Sequence, residues 1–182
     1  MVLLNSFIPW FLFWLFAFYK KMELTAAVTG LLAMLFVIIK NKRQGRSAKS
    51  LQKGTVVFFT LFALGTLVFG KEIIASNVDL LGNSAILIIV FITIIFKKPF
   101  ALEFARKHVR KELYDDPRLI RTSYLISWFW FVVLLVNFSL VVGRHFSFIQ
   151  IDRGLSVAIR IFNCIAAMKI TQWYIRHNHV LS

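Results

Sequence analysis

Polar side chains in the last apolar segment, residues 155–174, are the ones in this chain best suited to chemistry. Positions three or four apart share one face of an α-helix, and the small Ala167 continues this spacing. The polar residues of this face are Arg160, Asn163, Cys164 and Thr171. Charged and polar groups inside a membrane helix are costly and commonly functional. One interpretation is therefore a face that points into a helix bundle and forms a polar pathway or an anion contact centred on Arg160.

A second interpretation, which the sequence alone favours, gives Arg160 no special role. Arg160 and Lys169 each lie about a turn and a half from an end of the segment. Long basic side chains at such depths extend to the lipid headgroups while their stems stay in the hydrocarbon. On this interpretation both side chains are exposed.

No catalytic arrangement is recognisable among the remaining residues. None of the four histidines has a spacing that would hold a haem between helices: His108, His145, His177 and His179. The last two have no carboxylate beside them, so a solvated tail is the simpler interpretation than a metal site. A lone cysteine excludes an intramolecular disulfide and a structural zinc cluster. We therefore predict no catalytic residue, no metal, no cofactor and no enzyme activity.

Acidic residues are few, and we predict structural roles for two of them. Asp79 and Asp152 are expected to start helices, where a carboxylate stabilises exposed backbone N–H groups. A further interpretation is a membrane enzyme that acts on a lipid-linked substrate. Such an enzyme would need acidic or histidine side chains close together, and the sequence offers Asp79, Asp152, Glu72 and His145 for this role. Asn137 is expected to hydrogen-bond between helices.

The composition places the chain in a membrane. Hydrophobic residues make up 59% of its 182 residues, charged residues only 16%, and the mean hydropathy is +0.74. Soluble domains average about 45–50% apolar and about 25% charged residues. The basic residues behind the net charge of +14 lie between the apolar runs. Orientation in the membrane and contact with anionic lipid headgroups explain basic residues at such positions, so the charge does not require a nucleic-acid partner.

Charge-poor stretches predict a single all-α domain, 1–182, that is a polytopic transmembrane helical bundle of about six spans, with five as the alternative. The spans are expected at 3–19, 24–39, 54–69, 80–96, 124–142 and 155–174. The first two are the least certain as separate crossings, and a re-entrant hairpin is the alternative there. Aromatic runs at 7–16 and 128–131 are interpreted as interface belt and packing.

Basic residues concentrate in two loops, 40–53 and 97–121, which the positive-inside rule assigns to the cytoplasm. With six spans both termini would also be cytoplasmic, in a bacterial inner membrane. The first loop is interpreted as a flexible linker lying on anionic lipid.

Residues 99–114 are predicted to form an amphipathic helix in the membrane interface. Pro99 suits a first helical position, and small or apolar residues recur every four positions from Ala101 to Leu113. The basic residues in and just before this helix are candidate contacts for lipid headgroups or a docked partner: Lys97, Lys98, Arg106, Lys107, Arg110 and Lys111. Asp116 and Pro117 are expected to begin the next helix.

A weak internal repeat aligns residues 58–88 with 131–161 without a gap. Its informative matches are a glycine followed by a basic residue and, further on, Asp79 opposite Asp152. A duplicated hairpin would explain them, and so would apolar composition.

Two motifs resemble the intracellular septation protein A family of bacterial inner-membrane proteins, as a distant or sister branch. The first is Phe16-Ala17-Phe18-Tyr19-Lys20, followed by Ala26-Ala27-Val28. The second is Lys97-Lys98-Pro99-Phe100, with Arg106 and Lys111-Glu112-Leu113 after it. The resemblance implies a role in cell-envelope maintenance or septation, without enzyme activity.

The leading hypothesis is therefore a non-enzymatic scaffold or interaction protein of the bacterial envelope. Its expected partners are anionic membrane lipids and other membrane proteins or further copies of itself, with no nucleic acid. The alternative is a small oligomeric channel or carrier for an ion or a lipid-like anion, motivated by the polar face around Arg160.

Overall fold

The computed structural model describes residues 2–17, 23–43, 49–68, 71–106, 109 and 111–177. Within these ranges the chain has no strand, which confirms the predicted all-α class. The α-helices are α1 Val2–Ala17, α2 Glu23–Arg43, α3 Ser50–Val68, α4 Lys71–Ile95, α5 Phe100–Ala105, α6 Pro117–His145 and α7 Arg153–His177. A single 3₁₀ turn, Lys111–Leu113, lies between α5 and α6.

Five of the described helices are long and apolar enough to cross a membrane, and the chain is a multi-pass integral membrane protein. The crossing segments are Leu24–Arg43, Ser50–Val68, Ser76–Ile95, Pro117–His145 and Arg153–Ile175. The described part of α1 has 16 residues, which is about 24 Å of helix against about 30 Å of hydrocarbon. The predicted span 3–19 extends beyond Ala17 into residues outside the described ranges, so the described residues contain five candidate crossings.

Two of the three aspartates that were predicted to start a helix do so in the structure. Asp116 precedes α6 and accepts a hydrogen bond from the Arg118 N–H at 2.7 Å, with Pro117 at the first helical position. Asp152 precedes α7 and accepts from the Gly154 N–H at 2.7 Å. Both carboxylates thus satisfy backbone donors that a helix start leaves open.

The prediction that Asp79 starts a helix is wrong. α4 begins at Lys71, and Asp79 lies about two turns inside it, where its carbonyl accepts from the Asn83 amide at 2.8 Å. No glycine or proline interrupts residues 71–79, so the helix continues through the stretch that was expected to be a loop. Asp79 and Asp152 therefore occupy different positions in their hairpins, which removes the most informative match of the proposed repeat.

The continuous helix predicted over 99–114 is wrong in its extent. α5 ends at Ala105, and Pro99 precedes its first residue. Its apolar side chains are buried in the protein: Phe100, Ala101, Leu102 and Phe104. The Ala101 N–H donates to Ser127 Oγ at 3.3 Å, so α5 packs against α6.

The chain divides into two compact units, Met1–Ala85 and Ile86–Ser182. The first is built around an aromatic cluster from α1 and α3, with ring centroids 5.2 to 6.4 Å apart: Trp10, Phe13, Trp14, Phe58, Phe59 and Phe62. The Trp10 indole also donates to Thr55 Oγ1 at 3.2 Å. In the second unit one face of α6 is buried along its length, and α5 and α7 pack against α6.

Candidate functional site

The polar face predicted on α7 is buried in the second unit. The interval of three or four residues runs through Arg160, Cys164, Ala167 and Thr171, and the structure adds Ser156 one turn before Arg160. Ser156, Arg160, Cys164, Ala167 and Thr171 are all buried, and Asn163 is half-buried. Regular spacing on one helix face thus placed the four predicted residues in one row.

α6 supplies partners for this row. Asn137 is 1% exposed, and its carbonyl oxygen accepts from the Asn163 side-chain amide at 2.8 Å. The Asn137 amide nitrogen lies 3.7 Å from Cys164 Sγ. This confirms the interhelical bonding expected of Asn137. A second bond joins the same helices, because the Trp130 indole donates to Thr171 Oγ1 at 3.1 Å.

We call this set the α6–α7 polar seam: Trp130 and Asn137 on α6, with Ser156, Arg160, Asn163, Cys164 and Thr171 on α7. Trp130 and Ser156 were not predicted as members of the site from the sequence, where Trp130 belonged to an aromatic run interpreted as interface belt and packing. Trp130 precedes Asn137 by seven residues, and Cys164 precedes Thr171 by the same interval. Residues seven apart share a helix face, so this matched spacing was the available signal.

Arg160 does not extend to the headgroups, contrary to the interpretation favoured from sequence. It is 2% exposed, and its Nε donates to the Ser156 carbonyl at 3.2 Å. Lys169, nine residues further on, is exposed as predicted. Nine residues correspond to about 180° around an α-helix, so the two cations lie on opposite faces.

The polar groups of the seam are suited to binding. They are an arginine, two amides, an indole, a thiol and two hydroxyls. The crossing segments of α6 and α7 contain no Asp or Glu. A buried guanidinium among neutral polar groups favours contact with an anion or a carbonyl oxygen.

The basic residues predicted to contact lipid headgroups or a partner lie around the connection between α4 and α6. The structure divides them into three groups. Lys97 and Lys98 are exposed directly after α4. Arg106 instead holds its own loop, since its guanidinium donates to the Tyr114 carbonyl at 3.3 and 3.1 Å and forms an ion pair with Asp115 at 3.3 Å. Lys107, Arg110 and the side chain of Lys111 lie outside the described part of the chain.

Metal binding has no support in the described residues, which hold no group of three or more His, Cys, Asp or Glu suited to an ion. His177 stacks on Trp173 with ring centroids 5.1 Å apart, and His179 lies beyond the described helix.

No protein-family model, curated protein or solved structure matches the chain. The site must therefore be interpreted from its own geometry.

Proposed function

We propose that the chain is a non-enzymatic scaffold or interaction protein of the bacterial inner membrane, acting in cell-envelope maintenance or septation as its family resemblance implies. The observation that carries the proposal is the folded connection between α4 and α6. α5 packs on α6, and the Arg106 clamp closes the loop back onto Tyr114 and Asp115. A connection held in this way presents a fixed surface to a partner.

That surface is cationic. Lys97 and Lys98 at the end of α4 and Arg118 and Arg121 in the first turns of α6 are exposed. α6 has 29 residues, about 44 Å, which exceeds the hydrocarbon thickness by about nine residues. Arg118 and Arg121 lie in the first five residues of α6. Excess length at this end would put both arginines beyond the hydrocarbon, where we propose that an acidic segment of another envelope protein binds. The positive-inside rule assigns this surface and the C-terminus to the cytoplasm, and with six crossings the N-terminus as well.

Neutralising the four cations tests the proposal. The variant Lys97→Gln/Lys98→Gln/Arg118→Gln/Arg121→Gln is expected to lose co-purifying division or envelope-synthesis proteins, measured by native mass spectrometry from mild detergent. The matched control removes four cations elsewhere: Lys40→Gln/Lys42→Gln/Arg43→Gln/Lys53→Gln. Partner retention by the first variant, or a wild-type protein that purifies without any such protein, would contradict a scaffold role.

A second variant separates the shape of the surface from its charge. Phe104 is a buried residue of α5, so Phe104→Ala loosens the packing of α5 on α6 and leaves all four cations in place. A fixed docking surface predicts partner loss in this variant as well.

The second candidate function is a small oligomeric channel or carrier for an ion or a lipid-like anion. Burial of Arg160 favours it, because a cation that only anchors a helix reaches the headgroups. This candidate ranks second because the polar side chains of the seam pair with one another across the two helices. Asn163 bonds to Asn137, and Trp130 bonds to Thr171, so these groups are used to join α6 to α7.

Liposome flux tests the second candidate. Arg160→Gln is expected to abolish transport of chloride, followed with a halide-sensitive dye, or of fluorescent phosphatidylglycerol, followed by its transfer between leaflets. Lys169→Gln on the opposite face of α7 is the control. Equal transport by wild type and Arg160→Gln, or none by wild type, would remove this candidate.

A further inference from the structure

A second cationic surface lies in the first unit, where α2 ends and α3 begins. Its exposed members are Lys40, Lys42, Arg43 and Lys53. Residues 40–53 contain no Asp or Glu, so no acidic side chain of the same segment compensates this charge. The last turn of α2 carries three of these cations, where they also favour the negative end of the helix dipole.

A buried clamp joins the two helix ends. Gln52 is 1% exposed, and its side-chain oxygen accepts from the Asn41 amide at 3.4 Å and from the Lys49 backbone N–H at 3.1 Å. Lys40 and Lys42 are the chain neighbours of Asn41, and Lys53 follows Gln52. The clamp therefore joins the end of α2 to the start of α3, and these two ends carry the four exposed cations. Both ends of the flexible linker expected at 41–53 are thus helical, and residues 44–48 of that linker lie outside the described part of the chain.

These cations lie within four residues of the ends of two candidate crossing segments. The crossing segment of α2 ends at Arg43 and that of α3 begins at Ser50. The α2 segment has 20 residues, about 30 Å, which matches the hydrocarbon thickness. Side chains at its end therefore meet the layer that contains the lipid phosphates.

We infer that the clamped end of α2 and α3 is a binding site for the phosphate of an anionic phospholipid. Arg43 offers a planar pair of donors, while Lys40, Lys42 and Lys53 supply point charges. Charge complementarity and depth together select lipid as the occupant. The site needs only the membrane-embedded hairpin and is independent of the proposed scaffold role.

The test measures how strongly the purified full chain retains phosphatidylglycerol against phosphatidylcholine, titrated in mild detergent and followed by native mass spectrometry. Lys42→Gln/Lys53→Gln is expected to weaken phosphatidylglycerol retention about 25-fold, at about fivefold per cation near an anionic surface. Lys97→Gln/Lys98→Gln removes the same charge outside the clamped helix ends, and a built site predicts a clearly smaller loss of phosphatidylglycerol retention in this variant than in Lys42→Gln/Lys53→Gln.

A charge-conserving variant tests the clamp itself. Gln52→Leu keeps every cation and removes both hydrogen bonds to the Gln52 side chain, so a built site predicts weaker retention and a diffuse charge effect predicts none. Inorganic phosphate at the same concentration is expected not to displace the lipid. Equal losses in the two double variants, unchanged retention in Gln52→Leu, or displacement by inorganic phosphate would each overturn the inference.

Discussion

At the scale of single residues, the α6–α7 polar seam depends on Asn137. This side chain uses both ends of its amide, one toward Asn163 and one toward Cys164. The sequence predicted an interhelical role for Asn137 and one shared face for its partners on α7. It did not predict which residues would meet, because that depends on the relative rotation and offset of the two helices.

Replacing Asn137 is expected to destabilise the protein. Asn137→Leu leaves the Asn163 amide without its acceptor inside the bundle, which costs about 1 kcal/mol for an interhelical hydrogen bond in a membrane. The free energy of unfolding, measured by titrating SDS into mixed micelles, checks this. Ser139→Ala on the exposed side of α6 removes a polar group that bonds only within its own helix, to the Leu135 carbonyl. Equal losses in both variants would contradict a specific role for Asn137.

At the scale of helices, the packing of α2 on α3 depends on close approach at Gly30. A Cβ built at Gly30 would lie 2.7 Å from Cζ of the Phe59 ring. Phe59 is fully buried among the rings of Trp10, Phe13 and Phe58, so it has little freedom to move aside. Glycine allows contact between these helices that any larger residue would prevent.

Gly30→Ala is therefore expected to lower the free energy of unfolding by about 1–3 kcal/mol through overpacking. Phe59→Leu trims the ring that the new methyl meets, so the double variant should lose less stability than the sum of the single variants. The same SDS titration measures all three proteins. Strict additivity would show that the two side chains do not collide.

At the scale of the whole molecule, the number of crossings decides which loops share a side of the membrane. The described part of α1 is shorter than a full crossing, so the side occupied by the N-terminus follows from whether that segment spans. Two candidate crossings, α3 and α4, separate the basic loop after α2 from the basic loop after α4, so we expect both loops on one side in either case.

Site-directed labelling is expected to show this topology. In a Cys164→Ser background, Lys42→Cys and Lys98→Cys should react with a membrane-impermeant maleimide only after lysis of cells. Ser147→Cys, in the exposed connection between α6 and α7, should react in intact cells. Labelling of Lys42→Cys and Lys98→Cys from opposite sides would contradict the five crossings.

The sequence by itself determined the membrane class, most of the crossing segments, two helix starts and the common face of Arg160, Cys164 and Thr171. These features are local, because hydropathy, capping carboxylates and helical spacing act within a few turns. Only the tertiary structure decided that Arg160 is buried and that α5 ends at Ala105. Those outcomes depend on which faces of neighbouring helices meet, and burial against another helix outweighs the preference of a short segment for the lipid interface.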